Sequence, residues 1–489
     1  MVNRMGPVGL LVGAAGLVAA TTVLAVEDPL IAGVAVLALL PVFTRGVDGW
    51  RWLLALTMAL LICASSNIVS LADGSFHWRF VAIGALIIWG LCLPSGPKTS
   101  IDPWTRVFLA ALWAIAGLAT LSVTWSVVPM ETLPRGVALL LLAALVHLVV
   151  RRRWPDRDVM MADLRIIYVV LALSTVVSLG YGLIGGTLGP AISGSTRFEG
   201  VYNNPNMLGM VCALTVPLGW AAYRHSGRRG DLLGILPAAG LLVLSQSRTG
   251  LIAVLVGALW VVLRHGLGPL LRLAAVAAGA LLTAYLFNLL PAVAGAVWIQ
   301  QVAGRFTGQD DLSSGRTGMW QATIDLWWQN RPALGFGYAS RNHLSELARY
   351  DELLDFGVGV VHNSYLQLLL ELGLAAAVPL VLLLLAAGKA ALRAPVSRAN
   401  SGLVWLIVTG LLIQLTESAI FGTGQTYPYV FWLAVAAVLL HLPADRAART
   451  RRLQDSRSHK PAGQPELLRL RPSSSPRATK ALTRSRQAR

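Results

Sequence analysis

Apolar runs of about 15 to 23 residues recur along almost the whole of this 489-residue chain. No other feature constrains the fold as much. A lipid interior offers no hydrogen bonds, so a chain that enters it must satisfy its backbone internally, as a helix or a closed barrel. About 20 apolar residues in a helix match the thickness of a bilayer core. We read runs at 7–25, 29–44, 52–72, 80–94, 107–128, 136–150, 166–184, 207–223, 232–247, 250–263, 273–291, 364–387, 402–421 and 428–442. Several are short for an untilted span, so the sequence predicts an all-α polytopic membrane protein with about 12–14 transmembrane helices. The first run is long and is followed at once by another, so it reads as a helix and not as a signal peptide. Composition agrees: 55% of residues are hydrophobic, 13% are charged and the mean hydropathy is +0.64. Such values exclude a soluble globule, a disordered chain, a fibrous repeat and a disulfide scaffold. The three cysteines, Cys63, Cys92 and Cys212, lie inside apolar runs with no metal or disulfide spacing, and read as buried packing residues.

The net charge of +17 is at odds with so apolar a chain until it is located. From Pro443 to Arg489 there are 13 Lys/Arg against Asp445, Asp455 and Glu466, a net of +10. That Ser/Pro/Gln-rich segment reads as a disordered cytoplasmic tail, residues 443–489. Three regions result: N-terminal helices over 1–165, a transmembrane region over 166–442 that includes one large outside loop, and the tail. Lys and Arg also alternate from side to side. With the N-terminus inside, the cytoplasmic loops hold 18 and the tail 13, whereas the outside segments hold nine, of which five lie in one long loop. Short outside loops therefore carry four basic residues against 18, a strong positive-inside signal. Both termini are expected in the cytoplasm. The charge reports topology, and no nucleic-acid partner is expected.

The long outside loop runs from about 291 to 363 and contains a helix-like stretch from Arg316 to about Asn330, rich in Trp and broken by Arg331-Pro332 and Gly335-Phe336-Gly337. Such an aromatic amphipathic helix suits a membrane interface.

Three residues at the outer face carry possible chemistry. Arg248, in Ser-Gln-Ser-Arg-Thr-Gly, stands between two apolar segments with almost no loop; it either snorkels to headgroups or binds an anion. Arg316 opens the loop helix, where a guanidinium beside free backbone N–H groups suits phosphate, although a solvated arginine is common there. His362 stands where the loop re-enters the membrane, as a structural residue or as a base working near neutral pH. The orientation puts all three at one depth, which suggests a pyrophosphate-bearing lipid substrate and a base for an acceptor hydroxyl. Arg197 and Glu199 precede Asn203-Asn204-Pro205-Asn206, a turn in which Asn206 caps the next span or which contacts sugar or phosphate. Glu417 lies near the outer end of a span, as a functional carboxylate or as the partner of Arg248 or Arg316. There is no Walker loop, dinucleotide fingerprint, zinc-protease motif or nucleophile elbow, so no nucleotide site, cofactor or metal is expected.

At these residues the chain resembles the O-antigen ligase/polymerase superfamily, which includes O-antigen ligases, Wzy-type polymerases and O-oligosaccharyltransferases. The resemblance rests on Arg-Phe-Glu-Gly-x-Tyr-Asn-Asn-Pro-Asn (197–206), Ser-Arg-Thr-Gly (247–250), Gly-Arg-Thr-Gly-Met-Trp (315–320), Gly335-Phe336-Gly337 and His-Asn-Ser-Tyr-Leu-Gln-Leu-Leu-Leu-Glu-Leu-Gly (362–373). It covers roughly residues 165–440. It implies a GT-C-like, metal-independent, inverting glycosyltransferase of the bacterial inner membrane, working in cell-surface polysaccharide biosynthesis. An undecaprenyl-pyrophosphate-linked glycan would be the donor, and a lipid, glycan or protein the acceptor. By analogy Arg248 and Arg316 would hold the pyrophosphate and His362 would be the general base. Arg197, Asn204, Asn363, Tyr365 and Glu417, in or near the motifs, are candidate substrate contacts. The family usually has about 12 spans, and the basic tail is no part of its pattern. A secondary transporter or lipid flippase is the competing class, but it should carry ionisable residues deep in several spans and an inverted repeat. A scaffold using the tail on anionic lipid would leave the outer arginines and His362 unexplained.

Overall fold

The computed structural model describes residues 49–93, 101–192, 196–266, 316–346, 361–396 and 400–458. They form an all-α protein. The main helices are α1 (Gly49–Cys63), α2 (Val69–Cys92), α3 (Pro103–Leu121), α4 (Pro129–Leu148), α5 (Arg157–Ile184), α6 (Pro205–Ser226), α7 (Ile235–Leu244), α8 (Arg248–Arg264), α9 (Arg316–Asn330), α10 (Ser364–Leu372), α11 (Ala377–Arg393), α12 (Ser401–Ile413) and α13 (Thr426–Ser458). Seven segments among the described residues are long and apolar enough to cross a membrane: Val69–Cys92, Pro103–Thr124, Pro129–Arg153, Arg157–Ile184, Pro205–Ser226, Ser364–Arg393 and Thr426–Asp445. Shorter apolar helices lie at Gly49–Cys63, Gly230–Leu244 and Ser401–Ile413. The runs predicted at 7–25, 29–44 and 273–291 lie outside the described residues.

Polar residues set the helix starts. Asp102 caps α3 through Trp104 N at 3.0 Å, ahead of Pro103. Asp156 caps α5 through Asp158 N at 2.8 Å. Asn204, not the expected Asn206, caps α6 through Met207 N at 2.8 Å, with Pro205 in the first turn. Two segments sit at the centre of the bundle: 83% of the apolar window is buried in Pro205–Ser226 and in Thr426–Asp445, against 39% in Val69–Cys92 and Arg157–Ile184. The latter pair leaves apolar side chains such as Val81, Ile88, Leu173 and Val177 exposed, as a lipid-facing helix should. Helix α6 packs on α5, α7, α8 and α12.

Several boundaries differ from the apolar runs. The run 52–72 stops at Cys63. Ser66 donates to Val201 O at 2.8 Å and Asn67 to Gly200 O at 3.0 Å, so these residues bond the 200–202 turn instead of continuing the helix. Helix α2 then starts at Val69, which places Arg79 inside a span and not in a loop. The run 402–421 ends at Ile413, because Gln414 Oε1 accepts from Ile420 N at 2.7 Å and Ala419 N at 3.3 Å and turns the chain. Glu417 is therefore in irregular backbone, not in a helix. The run 364–387 is interrupted at Gly373–Ala376. There the backbone of 332–337 pairs with the break: Phe336 N donates to Leu370 O at 3.0 Å, Gly337 N to Glu371 O at 2.8 Å and Leu374 N to Pro332 O at 2.9 Å. Gly335 and Gly373 allow this approach. Both have positive φ, and a Cβ on either would fall 2.4–2.6 Å from the opposing backbone. Of the cysteines only Cys212 is buried; Cys63 is half-buried and Cys92 exposed. Helix α13 runs through Ser458, past residue 443 where the tail is expected to begin, and residues 459–489 lie outside the described residues.

At one end of the bundle basic residues are paired off. Asp163, almost fully buried, accepts from Arg153 at 2.8 and 2.9 Å, from Arg51 at 3.5 Å and from Trp154 at 3.1 Å. Arg165 bonds Asp231 at 2.8 Å and Arg157 bonds Asp445 at 2.5 Å. Arg264 donates to Ala391 O at 2.7 Å and Ala394 O at 2.8 Å. These are the loops that the charge count assigns to the cytoplasm.

Candidate functional site

The opposite end is built from breaks in helices. The turn at 245–247, between α7 and α8, carries Gln246 at φ 50°, and Ser247 caps α8 through Gly250 N at 3.4 Å. The 196–204 segment lies against this turn: Phe198 N donates to Leu244 O at 3.0 Å and Arg197 Nε to Ser245 O at 3.1 Å. Residues 414–425 cross the same end. Thr249 and Thr416 hydroxyls bond at 2.7 Å, which puts the neighbours of Arg248 and Glu417 side by side.

Glu417 is the centre of this arrangement. Its Oε1 accepts from Arg316 Nη2 at 3.3 Å and from Asn206 Nδ2 at 3.2 Å, and its Oε2 lies 3.4 Å from His362 Nδ1. Arg316 also donates to Thr416 O, and Arg197 Nη2 to Asn206 Oδ1. One carboxylate thus joins Arg316, Asn206 and His362 from three other segments of sequence, with Arg316 lying 101 positions away. Its side chain is 8% exposed, whereas that of Arg316 is 18% and that of His362 33% exposed. The carboxylate is enclosed and the imidazole is open to a ligand.

His362 is held in the left-handed region, at φ 50°. A non-glycine residue there costs of order 1–3 kcal/mol and persists where its surroundings over-determine it. Both flanks are fixed: Val361 O accepts from Trp320 Nε1 at 2.9 Å, and Asn363 N donates to Ser418 Oγ at 3.1 Å. Asn363 Oδ1 then caps α10 through Tyr365 N and Leu366 N, each at 3.0 Å.

Of the residues the sequence singles out, Arg197, Arg316, His362 and Glu417 are joined through hydrogen bonds, and Arg248 opens α8 next to Thr249. Asn204 and Asn363 are helix caps, and Tyr365 OH donates to Leu411 O at 3.0 Å. Asn206 enters by a route the sequence hides. Its place in the Asn-rich turn suggests a cap, and only the fold brings it to Glu417. A second polar group adjoins the site: Arg341 donates to Gln367 Oε1, and Gln367 Nε2 to Glu371 Oε1 at 3.0 Å. Burial lowers the pKa of Arg341 from its ordinary value, opposed by the attraction of Glu371. The neighbouring Tyr338 phenol is pushed up by burial and by the Glu371 charge, and donates to Phe421 O at 2.5 Å.

Chemically, this is an enclosed carboxylate orienting an accessible imidazole, beside guanidinium groups that suit an anion. No curated protein matches the chain. Residues 233–381 match the family model described as O-antigen ligase, a stretch that holds Arg248, Arg316 and His362.

Proposed function

We propose that the chain transfers a glycan from an undecaprenyl-pyrophosphate carrier to an acceptor hydroxyl at the extracytoplasmic membrane face. The observation that carries this reading is the Glu417 cluster, which puts an imidazole and an arginine within 3.4 Å of one carboxylate. With Nδ1 turned to Glu417, His362 offers Nε2 to the acceptor. The acceptor oxygen attacks the anomeric carbon, its proton passes to Nε2, and the bond from that carbon to the pyrophosphate oxygen breaks with inversion. Arg248 and Arg316 stabilise the charge that develops on the departing pyrophosphate. Arg316 is paired with Glu417, so donor binding exchanges part of that pair for phosphate. The donor's own leaving group drives the reaction, and neither nucleotide nor metal takes part. The paired basic end then faces the cytoplasm, as the charge asymmetry requires.

The test is transfer by the purified full-length protein, reconstituted with a labelled lipid-pyrophosphate glycan and a panel of acceptors, in EDTA and without ATP. Transfer under those conditions is expected. A requirement for ATP or metal refutes the mechanism. The acceptor that works separates a ligase from a polymerase, which would use a second lipid-linked repeat.

A further inference from the structure

Arg79 has no role in the chemistry above, yet it is costly to place where it lies. It sits eleven positions into the 24-residue helix α2, Val69–Cys92, and is 6% exposed. Its Nη1 donates to Gly424 O at 3.0 Å, and its guanidinium lies 4.4 Å from the Phe76 ring centre and 4.7 Å from that of Phe80. Its Nε is buried with no acceptor, and among the described residues no carboxylate pairs with it. A buried, intramembrane cation of this kind is unfavourable unless an anion joins it.

Its surroundings supply more positive charge. Arg135 is close enough to Arg79 and to Arg341 for the charges to repel. Arg135 shares Glu131 with His343, at 2.6 and 2.5 Å, and Arg341 is attracted by the buried Glu371. Three arginines against two carboxylates leave one positive charge in excess, and it falls on Arg79. This cluster and the His362 pocket share one segment: Glu417 and Ser418 bond the His362 side, while Phe421 O and Gly424 O bond Tyr338 and Arg79. A transferase needs two substrates to meet at one base, and two arginine-bearing clusters flank the segment that orients that base.

We propose that the Arg79 cluster binds a phosphate group of the acceptor, with the Nε edge of Arg79 as a donor to it. The inference rests on the transferase reading for the word acceptor. Arginine suits the role because its fork matches phosphate oxygens and keeps its charge when buried. The phosphate is carried either on the acceptor's lipid anchor or on its sugar.

The test is equilibrium binding to the full-length protein in phosphate-free detergent, with inorganic phosphate and dihexanoyl phosphatidic acid as probes and dihexanoylglycerol as the uncharged control. Wild type is expected to bind both probes competitively and the control not at all. Tighter binding of phosphatidic acid assigns the phosphate to a lipid anchor, and equal binding assigns it to a sugar. Arg79→Gln is expected to weaken both at least tenfold and Arg79→Lys less, whereas Arg106→Gln, at an exposed arginine outside both clusters, leaves them unchanged. If Arg79→Gln does not fold, Arg135→Gln takes its place, with a threefold weakening expected. The proposal is overturned if wild type binds neither probe, or if the folded Arg79→Gln or Arg135→Gln protein binds like wild type. Binding needs no turnover, so this result and that of the transfer assay fail independently.

Discussion

Arginines gather at both ends of the helix bundle, and their surroundings differ. At the end with Asp163, one buried carboxylate takes hydrogen bonds from Arg153, Arg51 and Trp154, and further pairs join Arg165 to Asp231 and Arg157 to Asp445. Those contacts staple helix ends. At the other end Glu417 also has several donors, but they include a partly exposed imidazole, and the chain around them is irregular and carries positive φ at Gln246 and His362. The same motif, a carboxylate among arginines, joins helix ends in one place and forms the proposed site in the other. What distinguishes them is an accessible titratable group and backbone held away from its preferred conformation.

Substitutions should separate the two ends. The largest effect on turnover is expected from His362→Ala: loss of a general base lowers the transfer rate by about 10²–10⁴-fold, with Tm nearly unchanged. Arg316→Ala and Arg248→Ala are each expected to cost about 10²–10³-fold through lost stabilisation of the leaving group. Glu417→Gln keeps the hydrogen bonds to Asn206 in part but loses the charge beside His362 and Arg316, and should cost about 10–100-fold, by analogy with other partners that orient a histidine. Asp163→Ala should reverse the pattern. Removing one member of a buried ion pair destabilises by about 3–5 kcal/mol, read as a fall in Tm, while the folded fraction keeps its kcat. Asn204→Ala, the loss of one cap, should cost only about 1 kcal/mol. A rate defect in Asp163→Ala beyond the loss of folded protein would erase the distinction between the ends.

The sequence made the fold class legible because apolar length and charge alternation survive any detail of packing. It also singled out Arg248, Arg316 and His362, since charged residues at the edges of apolar runs are conspicuous. It was less informative where polar side chains override periodicity. Ser66 and Asn67 end α1 by bonding the 200–202 turn, and that shifts Arg79 into a span. Gln414 ends α12 with its own side chain, which puts Glu417 in a loop. Both depend on partners far away in sequence, as does the meeting of Asn206 with Glu417, 211 residues apart. Hydropathy reports where a segment can be buried; it does not report which carbonyl will take a hydrogen bond.

The central claim is that the Glu417 cluster is a catalytic site with His362 as its base. Its most direct test is the single-turnover rate of glycan transfer by His362→Ala, measured with labelled donor saturating and donor binding followed in the same sample. The account predicts bound donor and a rate about a thousandfold below wild type. A His362→Ala protein that binds donor and transfers at the wild-type rate would contradict it.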